Sequence, residues 1–296
     1  MRPLLFLDTA RVIGVATSND DRFQRLLLRG ADGGVRELRR LDTAVSPRFE
    51  NVIPAGDDVV WTEFADGGPP RLWAADVTGG GPARELTGDL GDALFHGSQD
   101  DLAHHAGRVY WTARPADRTA ATEVRSVALS GGRVRVDRQP GEWTMGPWPW
   151  LDDGASAGVA ATLLRNTSTG REITVPTGSA EFAACSPSWC RVVVLEGDVP
   201  ARLDLMRPDG AGRRPMATGG VRAAVPDVAI LGRFEILADP GPRSGTAGLL
   251  VYDITTGQTV SLSAAANDAQ SRGGLVWWYT SSGASAEWHV LDLRTI

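Results

Sequence analysis

The chain has 296 residues, of which 42% are hydrophobic and 22% charged, a balance that excludes a disordered protein and is long enough to bury a sizeable core. The net charge is -6 and the thirty basic residues are all arginine, which argues against a nucleic-acid groove, where clustered basic side chains must displace counterions. Two cysteines are too few for a disulfide scaffold, while 35 glycines and 18 prolines, scattered in short clusters, predict frequent turns and many short strands.

In chain order, the N-terminal run Met1-Arg2-Pro3-Leu4-Leu5-Phe6-Leu7-Asp8 reads as one short strand. Its apolar stretch is too short for a signal peptide or a membrane span, so no export signal is expected. The location is then cytoplasmic, or the outer side of the envelope if an anchor has been removed. Behind this segment a repeat begins. Two alternating segments joined by a Gly turn recur as Arg25–Leu28 with Val35–Leu38, Leu72–Asp76 with Ala83–Leu86, and Val124–Ala128 with Val134–Val136. Further copies are Ala161–Leu164 with Glu172–Val175, Leu203–Met206 with Arg214–Met216, and Leu250–Asp253 with Thr259–Leu262. Trp288–Asp292 begins a seventh copy. The turn glycines at 34, 81, 132, 170, 212 and 257 are spaced by 38 to 51 residues.

Upstream of several of these hairpins lies a second strand with a common core: Val59-Val60-Trp61-Thr62, Val109-Tyr110-Trp111-Thr112 and Leu275-Val276-Trp277-Trp278, preceded in turn by a still earlier segment. Four short strands per unit of forty to fifty residues is the spacing of a propeller blade, and radial stacking buries faces that one blade leaves bare. The expectation is one all-β domain over residues 1–296: a seven-bladed β-propeller of four-stranded antiparallel sheets, with six blades as the alternative. Residues 3–8 either complete the last blade or form the innermost strand of the first. Trp61, Trp73, Trp111 and Trp277 read as core residues at equivalent places in the repeat.

Val60-Trp61-Thr62-Glu63 leading to Ala83-Arg84-Glu85-Leu86-Thr87 resembles the WD40-like repeats of TolB-like propellers. Cys185–Val192, Asp204–Gly210 and Gly146–Leu151 are similar to segments of uncharacterised TolB-like propeller proteins of actinobacteria. As a repeat pattern the resemblance covers most of the chain, but its distinctive segments lie within residues 146–210. It implies a propeller that binds a protein or ligand, with the cell envelope as its place of action, and it carries over no catalytic residue. TolB itself has a second, N-terminal domain for which this chain has no room.

The chemistry-bearing residues are few. Gly154-Ala155-Ser156-Ala157-Gly158 matches the serine-hydrolase elbow, and His289 lies downstream, but the repeat reads the following segment as a strand where that elbow needs a helix. Asp100-Asp101-Leu102-Ala103-His104-His105 holds four potential ligands; on a strand His104 and His105 face opposite ways, so no metal site is expected. Cys185 and Cys190 bracket a four-residue loop between two predicted strands, close enough to bridge in an oxidising compartment. Trp143, Trp148 and Trp150 crowd a stretch without counterpart in the other copies, and they join Asp101, His104 and His105 as candidate binding residues. The sequence thus favours a non-enzymatic scaffold with a protein partner, or a small molecule in its channel, and no cofactor. The alternative is a hydrolase or lyase whose site gathers residues from several blades at the channel mouth.

Overall fold

A computed structural model describes residues 1–154, 163–240, 247–282 and 285–296. The chain divides into two compact units, Met1–Trp148 and Pro149–Ile296. In the first, one antiparallel sheet holds β1 (Arg2–Phe6), β2 (Val12–Thr17), β3 (Phe23–Arg29) and β4 (Val35–Asp42) in chain order. The next holds β5 (Arg48–Ala55), β6 (Asp58–Phe64), β7 (Arg71–Asp76) and β8 (Arg84–Thr87). A third runs β10 (Ala103–His105), β11 (Arg108–Arg114), β12 (Ala121–Ala128) and β13 (Arg135–Pro140), with β9 (Asp92–Ala93) also on β11. The last strand of this unit is β14 (Thr144–Met145).

The second unit opens with β15 (Trp150–Asp152), β16 (Leu163–Asn166) and β17 (Glu172–Thr174), paired in that order. Next come β18 (Glu181–Cys185), β19 (Cys190–Glu196), β20 (Val199–Met206) and β21 (Arg214–Thr218) in one sheet. The final sheet has six strands: β22 (Arg222–Ala223), β23 (Phe234–Pro240), β24 (Ala247–Asp253), β25 (Gln258–Arg272), β26 (Leu275–Ser282) and β27 (Ser285–Asp292). Among the described residues the sheets number six, the antiparallel blades of an all-β propeller, and the expected seven is corrected. The reason is β25, fifteen residues long: Gln258–Ala266 pairs with β24 and Asn267–Arg272 with β26. The seventh copy is therefore hydrogen bonded into the sixth sheet.

Residues 3–8 do not complete the last sheet. β1 lies on β2, with Arg2 opposite Val15 and Leu5 opposite Ile13, and Gly14 permits the approach because a Cβ there would stand 2.6 Å from the Arg2 carbonyl oxygen. The turn glycines are used as the repeat suggests, since Gly132 and Gly257 adopt φ of 109° and 72°, where a side chain is strained. Register also moves two tryptophans: Trp73 stands on β7 opposite Trp61 and is half-buried, so it is neither equivalent to Trp61 nor core. The hairpins pairing Ala55 with Asp58, His105 with Arg108 and Arg272 with Leu275 make Trp61, Trp111 and Trp278 equivalent, not Trp277.

Hydrophobic burial sits between neighbouring sheets, as stacked blades require. One cluster joins Ile53, Val60 and Leu72 to Leu102, Val109 and Trp111, across the second and third sheets. Another joins Leu203 and Leu205 to Leu237 and Tyr252, across the fifth and sixth. An arginine at the start of the fourth strand repeats a second tie. Arg36 donates to the Asp76 carbonyl at 2.6 Å, Arg84 to that of Leu129 at 3.1 Å and Arg214 to that of Ile254, each in the following sheet. Two residues on, each fourth strand bulges at an apolar residue: Leu38, Leu86 and Met216, with Leu262 at the corresponding bulge of β25. The bulge twists the exposed edge and turns that residue inward.

Candidate functional site

A cavity of about 460 Å³ opens in the final sheet, where β25 leaves β24 for β26. Six alanines and Gly248 line it together with Leu249, at strand positions where larger side chains would fill the space. Ala238 and Ala266 are 7% and 8% exposed and form part of the floor. The polar lining comes from Arg222, Asn267, Asp268 and Tyr279. Asp268 owes its position to a bulge between Asn267 and Gln270, at which its φ is 46°. Gln270 donates to its Oδ2 at 3.1 Å. Tyr279 faces its cross-strand partner Trp288, ring centroids 5.1 Å apart, which fixes the aromatic wall. A guanidinium, a carboxylate, a carboxamide and a phenol around a methyl-covered floor suit a small polar ligand.

The residues singled out from sequence lie elsewhere. Trp143 is 5% exposed, its backbone N–H donating to Thr122 Oγ1 at 2.8 Å and its indole N–H to the Pro140 carbonyl at 2.7 Å. Trp148 stacks on Tyr110 with centroids 3.9 Å apart, both half-buried. In the second unit, Trp150 packs against a core of Leu164, Val175, Cys190 and Val192. Asp101 is 3% exposed, and its Oδ2 accepts from the backbone N–H groups of His96, Gly97 and Ser98 at 2.9, 2.8 and 3.1 Å. Burial pushes its carboxyl up to about 6, against the pull of those donors. His104 and His105 stand on β10 with opposite environments, His104 half-buried and His105 exposed. Burial first, and then His105, hold the His104 imidazole below its ordinary range. Among the described residues no three His, Cys, Asp or Glu side chains gather as a metal site. Cys185 and Cys190 face each other across the β18–β19 hairpin and are joined as a disulfide. Ser156 of the hydrolase-like motif lies outside the described residues, while His289 stacks on Trp278 and shares a 2.9 Å hydrogen bond with Thr280.

One buried polar network escaped the sequence reading. Arg191, 5% exposed, donates to Glu235 Oε2 at 2.7 Å and to the carbonyls of Val225, Pro226 and Asp227. Glu235, fully buried, also accepts from the Ala229 N–H at 2.7 Å. Asp227 receives the Ser271 hydroxyl, and burial pushes its carboxyl up to about 6. The signal was present in the sequence: Arg191 and Glu235 are the lone charges within the apolar runs 190–195 and 234–238. Their contacts spend them on holding the segment 225–229 between the fifth and sixth sheets.

The chain matches no protein-family model, and no curated protein is similar to it in sequence. Solved structures are similar in fold. A prolyl endopeptidase superposes with a TM-score of 0.62 at 14% identity, covering 100% of this chain and 48% of that one. This chain thus spans about half of the endopeptidase. An oligogalacturonate lyase solved with manganese gives 0.56 at 14% identity, over 96% and 83% of the two chains. The β-propeller domain of the Trilobed protease from Pyrococcus furiosus gives 0.53 at 12% identity, over 83% of each. At such identities the likeness establishes the β-propeller fold. No described helix is long and apolar enough to cross a membrane.

Proposed function

We propose that the protein is a non-enzymatic, TolB-like propeller that works as one domain and binds a small polar ligand in the cavity beside β25. The observation that carries this reading is the cavity itself. Its volume of about 460 Å³ falls in the range of small-molecule sites, roughly 300–1,000 Å³, and Arg222, Asn267, Asp268 and Tyr279 line it beside small alanines. Of the buried acids, Asp101 is held by three backbone amides and Glu235 by Arg191 and Ala229. A thermal-shift screen with soluble metabolites tests the reading, since a ligand at a hundred times its Kd stabilises the folded state by about 2.7 kcal/mol. Hits should vanish in Asp268→Ala and Tyr279→Ala. Hits that persist undiminished in both variants would show that the cavity is not the site.

A second reading, an enzyme, draws support from neighbours named for lyase and hydrolase activity. It would call on Asp101, His104, His105, Trp148 or Trp150. Loss of a measured turnover in His105→Ala, an exposed position whose change leaves the fold intact, would favour it over binding alone.

A further inference from the structure

We infer that the ligand of the cavity beside β25 is a zwitterion, an amino acid or short peptide with free ends, whose carboxylate meets Arg222 and whose ammonium meets Asp268. The inference rests on the reading that this cavity is the binding site, and it adds the chemical class. A guanidinium and a carboxylate line the same space. Arg222 stands on β22 and Asp268 on β25, and two further strands, β23 and β24, lie between them in the order of the sheet. The two charges therefore enter the lining from different strands, with the cavity between them.

Neither charge is paired. Among the described residues the Arg222 side chain has no ion pair or hydrogen bond, and the Asp268 carboxylate has only the Gln270 carboxamide, on Oδ2. Other arginines of the same unit are engaged by carboxylates: Arg191 by Glu235 at 2.7 Å, Arg202 and Arg213 by Asp204 at 2.8 Å, and Arg233 by Asp253 at 2.7 Å. Arg222 and Asp268 share a cavity and stay apart. A ligand that carries both signs gives each of them a charge-assisted hydrogen bond.

The rest of the lining suits the body of such a ligand. Between the pairs Asn267–Tyr279 and Gln270–Trp277, β25 has two residues, Asp268 and Ala269, where β26 has only Trp278. A bulge of this kind leaves an extra residue outside the ladder, here at the Asp268 carboxylate. The Tyr279 hydroxyl has no hydrogen-bond partner among the described residues, and it stands in the lining beside the Asn267 carboxamide. These groups match the donors and acceptors of a peptide unit, and the six alanines leave room for short side chains. A dianion would set one charge against Asp268, and a dication one against Arg222, so both are selected against.

The test titrates the full chain with L-alanine, alanyl-alanine and trialanine, which carry the same two charges at growing separation, and reads the dissociation constants by calorimetry. The expected result is saturable binding of at least one of them. Acetylating its amine or amidating its carboxylate should each weaken binding about tenfold, the size of one charge-assisted hydrogen bond. These changes are made in the ligand, so a folding defect cannot mimic them. In Arg222→Ala the free acid and the amide should bind equally weakly, and in Asp268→Ala the free amine and its acetylated form should do so. No binding by the series, or a preference for free ends that survives both substitutions, would overturn the inference. Succinate and putrescine, a dianion and a dication, separate this failure from that of the cavity itself. Either one binding more tightly than every zwitterion, and losing its hold in Tyr279→Ala, would keep the cavity as the site and remove the zwitterion as its ligand.

Discussion

Each unit ties two of its sheets together with an arginine and a glutamate, and the two pairs differ in depth. In the first, Arg39 of β4 reaches Glu63 of β6 through two hydrogen bonds of 2.8 and 3.0 Å and lies over the Trp73 ring at 3.8 Å. Its side chain remains 27% exposed. In the second, Arg191 and Glu235 are 6% and 0% exposed, and the guanidinium has three backbone carbonyls as well as the carboxylate. Water can replace much of what Arg39 gives up. It cannot reach Glu235. The same chemical pair is therefore open to water on its arginine side in one unit and a fixed element of the interior in the other.

The sharpest way to break this comparison is to remove each arginine. Arg191→Ala leaves Glu235 buried and unpaired and should cost about 3–5 kcal/mol, measured by urea unfolding. A loss as small as that of Arg39→Ala would mean that water enters the Arg191 site. The next effect concerns Asp227, whose carboxyl moves from 3.8 up to about 6 on burial. The folded protein holds that proton more tightly than the unfolded chain, so the group's contribution is full below pH 4 and is lost as pH rises through about 6. Asp227→Asn should flatten this window and raise stability at pH 7 by on the order of 2 kcal/mol. In the first unit Asp101 has the same sign and His104 the opposite one, so a residual slope in the variant is the resultant of these two. An unchanged pH profile would show that Asp227 is ionised at no cost.

Reducing the Cys185–Cys190 bond sharpens the comparison further, because it loosens only the hairpin that starts with Cys190 and Arg191. A loop this short is worth about 2 kcal/mol in the chain-entropy description. Cys185→Ser with Cys190→Ser should lower stability by that amount, and reductant should then have no further effect. The smallest change is Arg39→Ala, about 1 kcal/mol, and half a molar salt should weaken the wild-type pair measurably while leaving Arg191 untouched.

Much of this architecture was legible in the residues. The Gly turns and the strands around Trp61 and Trp111 mark the repeat, because burial between stacked sheets demands apolar residues at those places. The sheet count was not legible. Asn267 and Asp268 fall where one copy passes to the next, but the chain takes them up as a bulge within one continuous strand, which merges two copies. The placement of β1 depended on Gly14, whose missing side chain matters only once the Arg2 carbonyl is seen beside it. The cavity was invisible for another reason. It is made by what the alanines lack, and its walls come from five strands spread over residues 222–279. Asp101, by contrast, stood out in the sequence, and its partners are all backbone amides that no side-chain pattern announces.

The length of β25 bears on how this chain can change its size. Elsewhere a loop separates the last strand of one sheet from the first strand of the next, and a copy can be duplicated or deleted by joining one such loop to another. The last two offer no such seam, for any excision between Gln258 and Arg272 severs a strand bonded on one stretch to β24 and on the next to β26. A change of copy number that leaves every strand whole must therefore fall before β22, and the last two copies move as one unit.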